Sequence, residues 1–262
     1  MTTQTRSEPT QGSSRREALD AMFAACPALR DKVRVGQDGA VWTPLCGMRL
    51  GSRFSRVVDL PARGTDSSVL GWRAQAHVLD ADGRTVDAAQ CFASIEDDAE
   101  LVDADRLSRA VHVLNFFAQD PGGLLILPVH ERLLKSIRYD HGRFFAALLA
   151  ALRCVVSRVA VEIPPRIAAH RTLLGYLVES YRANGFRVAA HLANAPQLLA
   201  LHGDRTPDYL LVDTPAALRD ALVAPLVSYA THHGVALIFD RLRDAQDLAL
   251  LRGHGVRYVQ MP

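Results

Sequence analysis

Glu162, Asp240 and Gln260 each fall at or near the end of a short apolar run, and Arg73 and His191 occupy similar places in runs of their own. Oxygen donors carried on neighbouring strand ends converge on divalent cations, and a close pair of cations activates water for hydrolysis. That chemistry needs several carboxylates. Taken in order, the run ends are Arg73, Pro128 to His130, Glu162 to Pro165, His191–Leu192, Leu211 to Asp213, Asp240 and Gln260. The set is short of carboxylates, and apart from Asp213 its two isolated acids, Glu162 and Asp240, do not supply a two-metal centre.

Other chemistries find less support. The four cysteines, Cys26, Cys46, Cys91 and Cys154, are widely spaced and form no CxxC, which argues against a zinc site and a disulfide framework. The ten histidines include no HxxxH or HExxH pair. No GxSxG elbow supports a hydrolase triad. Glu96-Asp97-Asp98-Ala99-Glu100 reads as a solvated turn or helix face, since adjacent positions cannot converge on one ion. His232–His233 suits a helix C-terminus, where the dipole favours a cation.

These residues must be positioned by alternating elements. Residues 1–15 read as a disordered tail, residues 16–29 as a helix, and residues 33–42 as a hairpin turning at Asp38–Gly39. Strands are expected over 53–60 and 70–79, then at 124–129, 158–163, 187–192, 209–213, 235–240 and 256–260. Helices fill the intervals 88–118, 131–152, 167–183, 216–232 and 245–252, with Thr214–Pro215 as an N-cap and first-turn proline. About eight strands alternating with helices favour an α/β fold, a closed parallel TIM-like barrel over residues 53–262, with residues 16–52 as a helix and hairpin extension. An open doubly wound sheet would normally carry a glycine-rich loop after its first strand, and none is present.

Net charge is +2, from 30 basic and 28 acidic residues, and no basic stripe suggests nucleic acid. No segment reads as a signal peptide or membrane span, so a cytoplasmic protein is expected.

Along the barrel the run Ser55-Arg56-Val57-Val58-Asp59-Leu60 stands where Q-P-I-V-D-L would, and Arg73-Ala74-Gln75-Ala76-His77 where E-A-L-x-R would. Leu127-Pro128-Val129-His130 stands for V-N-L-S, and Val161-Glu162-Ile163-Pro164-Pro165 for L-E-I-T-E. His191-Leu192-Ala193-Asn194 follows as D-D-F-G, Leu211-Val212-Asp213 as K-I-D, Phe239 to Arg243 as A-E-G-V-E, and Gln260-Met261-Pro262 as Q-G-Y. In this serial order, over residues 53–262, the chain resembles a degenerate member of the EAL family of cyclic di-GMP phosphodiesterases. Every individual motif is damaged.

The resemblance implies a barrel whose top binds cyclic di-GMP through metal ligands and phosphate-contacting side chains. It also implies that the site is vestigial. The signature glutamate is Arg73 and the signature arginine His77, the asparagine ligand is Pro128, the loop aspartates are His191 and Leu192, and the lysine is Leu211; Asp213, Glu162, Asp240 and Gln260 persist. No catalytic residue, metal or cofactor is then expected. Arg73 is predicted to pair with Glu162 or Asp240, its guanidinium replacing a metal, unless it is an ordinary surface residue. Ala193 to Leu199, replacing a glycine-rich loop, is expected to be helix-friendly and frozen.

Such relatives act in bacterial signalling as regulators of motility, adhesion or transcription through protein contacts, and an inactive regulator with a protein partner is the leading expectation. A homodimer is a further reading. The alternatives are a metal-independent cyclic di-GMP receptor, with nucleotide binding doubtful because both signature handles are lost, and a residual phosphodiesterase. The Phe144–Phe145 pair is expected in the core or at an interface.

Overall fold

The computed structural model describes residues 11–60, 67–136, 141–192, 197 and 205–261. It opens with α1 (Gln11–Ala25) and α2 (Pro27–Arg30), followed by the small strands β1 (Arg34–Val35) and β2 (Val41–Leu45). Next come β3 (Met48–Asp59), β4 (Ser68–Leu79), β5 (Thr85–Val86), α3 (Ala88–Ala93) and the long α4 (Asp98–Gln119). The repeating part comprises β6 (Leu124–Pro128), α5 (Glu131–Ser136), α6 (Arg143–Ala151), β7 (Val159–Ile163), α7 (Pro165–Ala168), α8 (Arg171–Ala183) and β8 (Arg187–His191). It ends with β9 (Tyr209–Asp213), α9 (Thr214–Arg219), α10 (Val223–His233), β10 (Ala236–Asp240), α11 (Ala245–Gly253) and β11 (Tyr258–Gln260).

One sheet holds all these strands, and β3, β4, β6, β7, β8, β9, β10 and β11 close into a barrel through the β3–β4 and β11–β3 pairings. The expected closed α/β barrel is present, but it is mixed and not wholly parallel. β3 runs antiparallel to both neighbours, β4 and β11. The physical reason is the connection: the stretch between Asp59 and Ser68 is too short for the helical crossover that a parallel neighbour needs.

Side-chain alternation sorts each strand into an inner and an outer row. The outer row, including Leu125, Leu127, Val161, Val188, Leu210 and Phe239, packs with the helices in the main core. The inner row builds a separate apolar floor from Val57, Leu124, Ile126, Ala160, Ala189, Tyr209, Leu211 and Ile238. Two glycines permit this filling where β4 meets β6. A Cβ on Gly71 would fall 2.3 Å from the Leu124 carbonyl oxygen, and one on Gly123, at φ 75°, would fall 2.9 Å from that of Leu70.

Several expected boundaries move. α1 begins at Gln11, inside the stretch read as tail, while residues 1–10 lie outside the described residues. β3 runs through residue 53, the expected start of the barrel, and β2 pairs with it, so the hairpin joins the barrel's own sheet. Leu19, Met22 and Phe23 of α1 share the main core with the barrel's outer row. The single helix expected over 216–232 breaks at Ala221, whose φ of 52° is left-handed, and periodicity alone does not reveal such a one-residue break. The helix expected over 131–152 is likewise two, α5 and α6, and the acidic run becomes the start of α4, with Asp97 accepting from the Glu100 N–H.

Candidate functional site at the barrel mouth

Two residues beyond the floor, the inner row turns polar. Gly71 is followed by Arg73, Ala160 by Glu162, Ala189 by His191, Ile238 by Asp240 and Tyr258 by Gln260. Period-two alternation points these side chains at the barrel axis. Strand pairing is staggered, with Glu162 opposite Ala189 and Arg73 opposite Ile126, so side-chain reach and not shared register brings the polar groups together.

Arg73 is the hub. Its Nε donates to Glu162 Oε2 at 2.7 Å and its Nη2 to Glu162 Oε1 at 2.6 Å, a bidentate fork matched to a carboxylate. Its Nη1 donates to Asp240 Oδ2 at 3.0 Å and to Gln260 Oε1 at 2.9 Å. His191 Nε2 lies 2.8 Å from Glu162 Oε1 and 3.3 Å from Arg73 Nη2. One ring nitrogen cannot donate to the carboxylate and accept from the guanidinium together. The shorter approach decides: Nε2–H donates to Glu162, and the guanidinium is merely adjacent.

The cluster is largely sealed, with Arg73, Glu162 and Asp240 side chains 15%, 7% and 4% exposed. Burial works to raise the Glu162 carboxyl, but the Arg73 charge and hydrogen bonds from His191 and Arg73 outweigh it and hold the group down at about 2. Burial also opposes the Arg73 charge, yet Glu162 and Asp240 together hold the guanidinium more firmly protonated than usual. Asp240 moves the other way. Its burial raises it despite Arg73, because the guanidinium gives it one hydrogen bond and gives Glu162 two. One cation is shared unequally by two acids.

The remaining expected positions separate. Pro128 ends β6 beside Glu162 in register and contributes no side-chain donor or acceptor. Leu211 belongs to the apolar floor beneath the cluster. His77 stands apart from the cluster: it lies farther along β4, 3.5 Å from Arg53 Nη2 and 3.3 Å from Thr85 Oγ1. Leu192 is also out, since it follows an inward residue and packs its side chain against the outer core. Asp213 is a structural cap. Its carboxylate accepts from the Ala216 N–H and from Arg241 Nη1 at 2.6 Å, making it, and not Thr214, the N-cap of α9. The segment Ala193 to Leu199 falls outside the described residues except at Gln197.

A second polar cluster had no expectation attached to it. On α4, Arg109 Nε donates to Asp105 Oδ2 at 2.8 Å, and Asp105 Oδ1 accepts the His130 N–H at 2.8 Å, tying the helix to the loop after β6. The i,i+4 spacing of Asp105 and Arg109, on a helix face that the structure buries, was the available signal. The phenylalanine pair divides: Phe145 is buried, while Phe144 is exposed with Arg106 over its ring.

No family model and no curated protein matches the sequence. Solved structures do. The Bacillus subtilis YkuI protein with an EAL domain, in complex with substrate c-di-GMP and calcium, superposes with a TM-score of 0.64 at 19% identity, covering 80% of this chain and 53% of that one. Klebsiella pneumoniae BlrP1, in a manganese and cy-diGMP complex, gives 0.64 at 17% identity, covering 87% and 56%. The FimX EAL domain from Pseudomonas aeruginosa, bound to c-di-GMP, gives 0.64 at 16% identity, covering 92% and 93%. The chain spans about half the length of the first two. At these identities the likeness establishes the fold: an EAL-type α/β barrel. Among the described residues, no helix is long and apolar enough to cross a membrane.

Proposed function

We propose that this protein is a catalytically inactive EAL-fold regulator that acts by contact with another protein. The observation that supports it is the position of Arg73. Its guanidinium occupies the point on which Glu162, Asp240 and Gln260 converge, so the oxygens that would face a cation already accept hydrogen bonds from a fixed positive charge. Of the neighbouring strand ends, β6 offers only proline at 128, and the Asp213 carboxylate that ends β9 beyond the floor leucine at 211 is engaged by the Ala216 N–H and Arg241. This donor set does not fit the divalent metal found with the nucleotide in the calcium and manganese complexes above, and no hydrolytic step is derived through one.

A metal-independent receptor for cyclic di-GMP is the second reading. It is favoured by Arg53 and His77, which line the same wall of the β3–β4 hairpin above Arg73. Titration calorimetry with cyclic di-GMP, with and without Mg²⁺, separates the two. The regulator reading expects no binding in the micromolar range in either condition and no linear dinucleotide after long incubation. Submicromolar binding without metal would replace it with the receptor, and metal-dependent turnover would remove both. A pull-down from the native cell, repeated with a surface variant at Phe144, then tests whether the protein has a partner and whether this exposed aromatic contributes.

A further inference from the structure

Cys46 and Cys91, distant in sequence, meet at the far end of the β3–β4 hairpin. Cys46 occupies the two-residue turn joining β2 to β3, at φ 48° with Gly47 following at 75°. Both signs suit a hairpin turn of the primed type. Its side chain is exposed, while Cys91 is buried in α3. Cys46 Sγ lies 3.9 Å from the Cys91 carbonyl oxygen and 3.9 Å from Ser94 Oγ. Cys91 Sγ in turn lies 3.9 Å from Met48 Sδ.

The two thiols differ in a way that assigns an order. Burial, with Cys46 and Asp87 close by, pushes the Cys91 thiol up, so it stays protonated and does not attack an oxidant first. Cys46 is the sulfur that solvent reaches. Oxidation follows thiolate character and exposure, and an adjacent second thiol resolves the first product.

We propose that Cys46 and Cys91 are a peroxide-responsive pair that closes to a reversible disulfide. Cys46 thiolate attacks hydrogen peroxide, the O–O bond breaks, and Cys46 becomes a sulfenic acid as hydroxide leaves and takes up a proton to form water. The Cys91 sulfur then attacks the sulfenic sulfur. An S–S bond forms, the S–O bond breaks, and the leaving hydroxyl takes the Cys91 proton to give a second water. Two thiols lose two electrons together, and one peroxide gains them.

The new bond would fasten the β2–β3 turn to α3. It would close a covalent loop around the whole β3–β4 hairpin, the element that carries Arg73 into the barrel mouth. The inference is independent of the reading of that mouth.

The full chain, reduced and freed of reductant, is treated with stoichiometric hydrogen peroxide and mapped by non-reducing tryptic mass spectrometry. Cleavage at Arg34, Arg49, Arg84 and Arg106 puts Cys46 and Cys91 on separate peptides, and Cys26 and Cys154 on two others. The expected product links the Cys46 and Cys91 peptides, leaves Cys26 and Cys154 as thiols, and reverts with dithiothreitol. In Cys91→Ser, dimedone should trap Cys46 as sulfenic acid; in Cys46→Ser, Cys91 should stay reduced. The proposal is overturned if the wild type ends with Cys46 over-oxidised and Cys91 free, with Met48 sulfoxide alone, with Cys46 linked between two molecules, or with no change.

Discussion

The β3–β4 hairpin separates two polar clusters that solve opposite problems. On its inner face, Arg73 holds two carboxylates and an amide at the barrel mouth. On its outer face, Ser52 of β3 reaches α4, where the fully buried His112 stays neutral because burial lowers its pKa to about 3. Asn115 there uses every donor and acceptor direction. Its Oδ1 accepts from the Val41 N–H and Arg15 Nη2, and its Nδ2 donates to the Val41 carbonyl and Ser52 Oγ. His112 Nδ1 lies 2.7 Å from Ser52 Oγ and its Nε2 lies 3.4 Å from Ser108 Oγ, so both ring nitrogens have a hydroxyl partner. The outer cluster satisfies all four hydrogen-bonding directions of Asn115 and fastens α1 and β2 onto the barrel. The inner one has two acids for one cation, so one carboxylate is held less firmly than the other.

The contrast is sharpest in acid. His112 resists protonation when folded but takes a proton near 6.5 when unfolded. The outer cluster therefore contributes stability that is complete above that pH and is lost as pH falls toward about 3. The full window is worth on the order of 5 kcal/mol. Urea unfolding at intervals of pH should show the decline starting near 6.5, and His112→Gln should remove that limb. A flat profile down to 4.5 would break the assignment of a neutral, sealed histidine.

Next in size is Arg73→Ala, which leaves two buried acids without their cation and should cost about 4 kcal/mol at neutral pH. The loss should shrink in mild acid as the acids protonate, and a pH-independent loss would mean the guanidinium matters only as packing. A somewhat smaller effect, on the order of 3 kcal/mol, belongs to Glu162. Its carboxyl is held at about 2 against a usual 4.5, so its stabilisation is present above 4.5 and lost as pH falls through that interval. Glu162→Gln should erase this lower acid limb and leave the His112 limb standing. Asp240, raised by burial, works weakly in the opposite sense. Smallest is Asn115→Ala, expected to cost about 2 kcal/mol by stranding the Val41 backbone groups, measured by the same urea unfolding. A cost as large as that of Arg73→Ala would erase the distinction between the clusters.

What could be read from the sequence was local. Apolar runs such as Val159–Ile163 and Tyr209–Asp213 placed strands within a residue or so, because burial on both faces leaves a continuous signature. The chemical types at the strand ends were equally legible, and with them the expectation that Arg73 would turn to Glu162 or Asp240. In the structure it holds both. That Leu192 and His77 lie away from the Arg73 cluster was not legible, because facing depends on parity and height along a strand, and the boundaries of a strand are the least legible feature of a sequence. Thr214 was misread as the N-cap because the cap is fixed only by where α9 starts, and with the helix starting at Thr214 the cap is Asp213.

The amino-acid sequence alone determined the alternation of elements, the apolar floor and the residue types available at the barrel mouth. These follow from residue type and period. Only the tertiary structure decided the direction of β3, the tautomer choice at His191, and the convergence of Arg73 with Gln260 from the opposite end of the chain. Those depend on barrel closure, which couples residues through pairings that no local window contains.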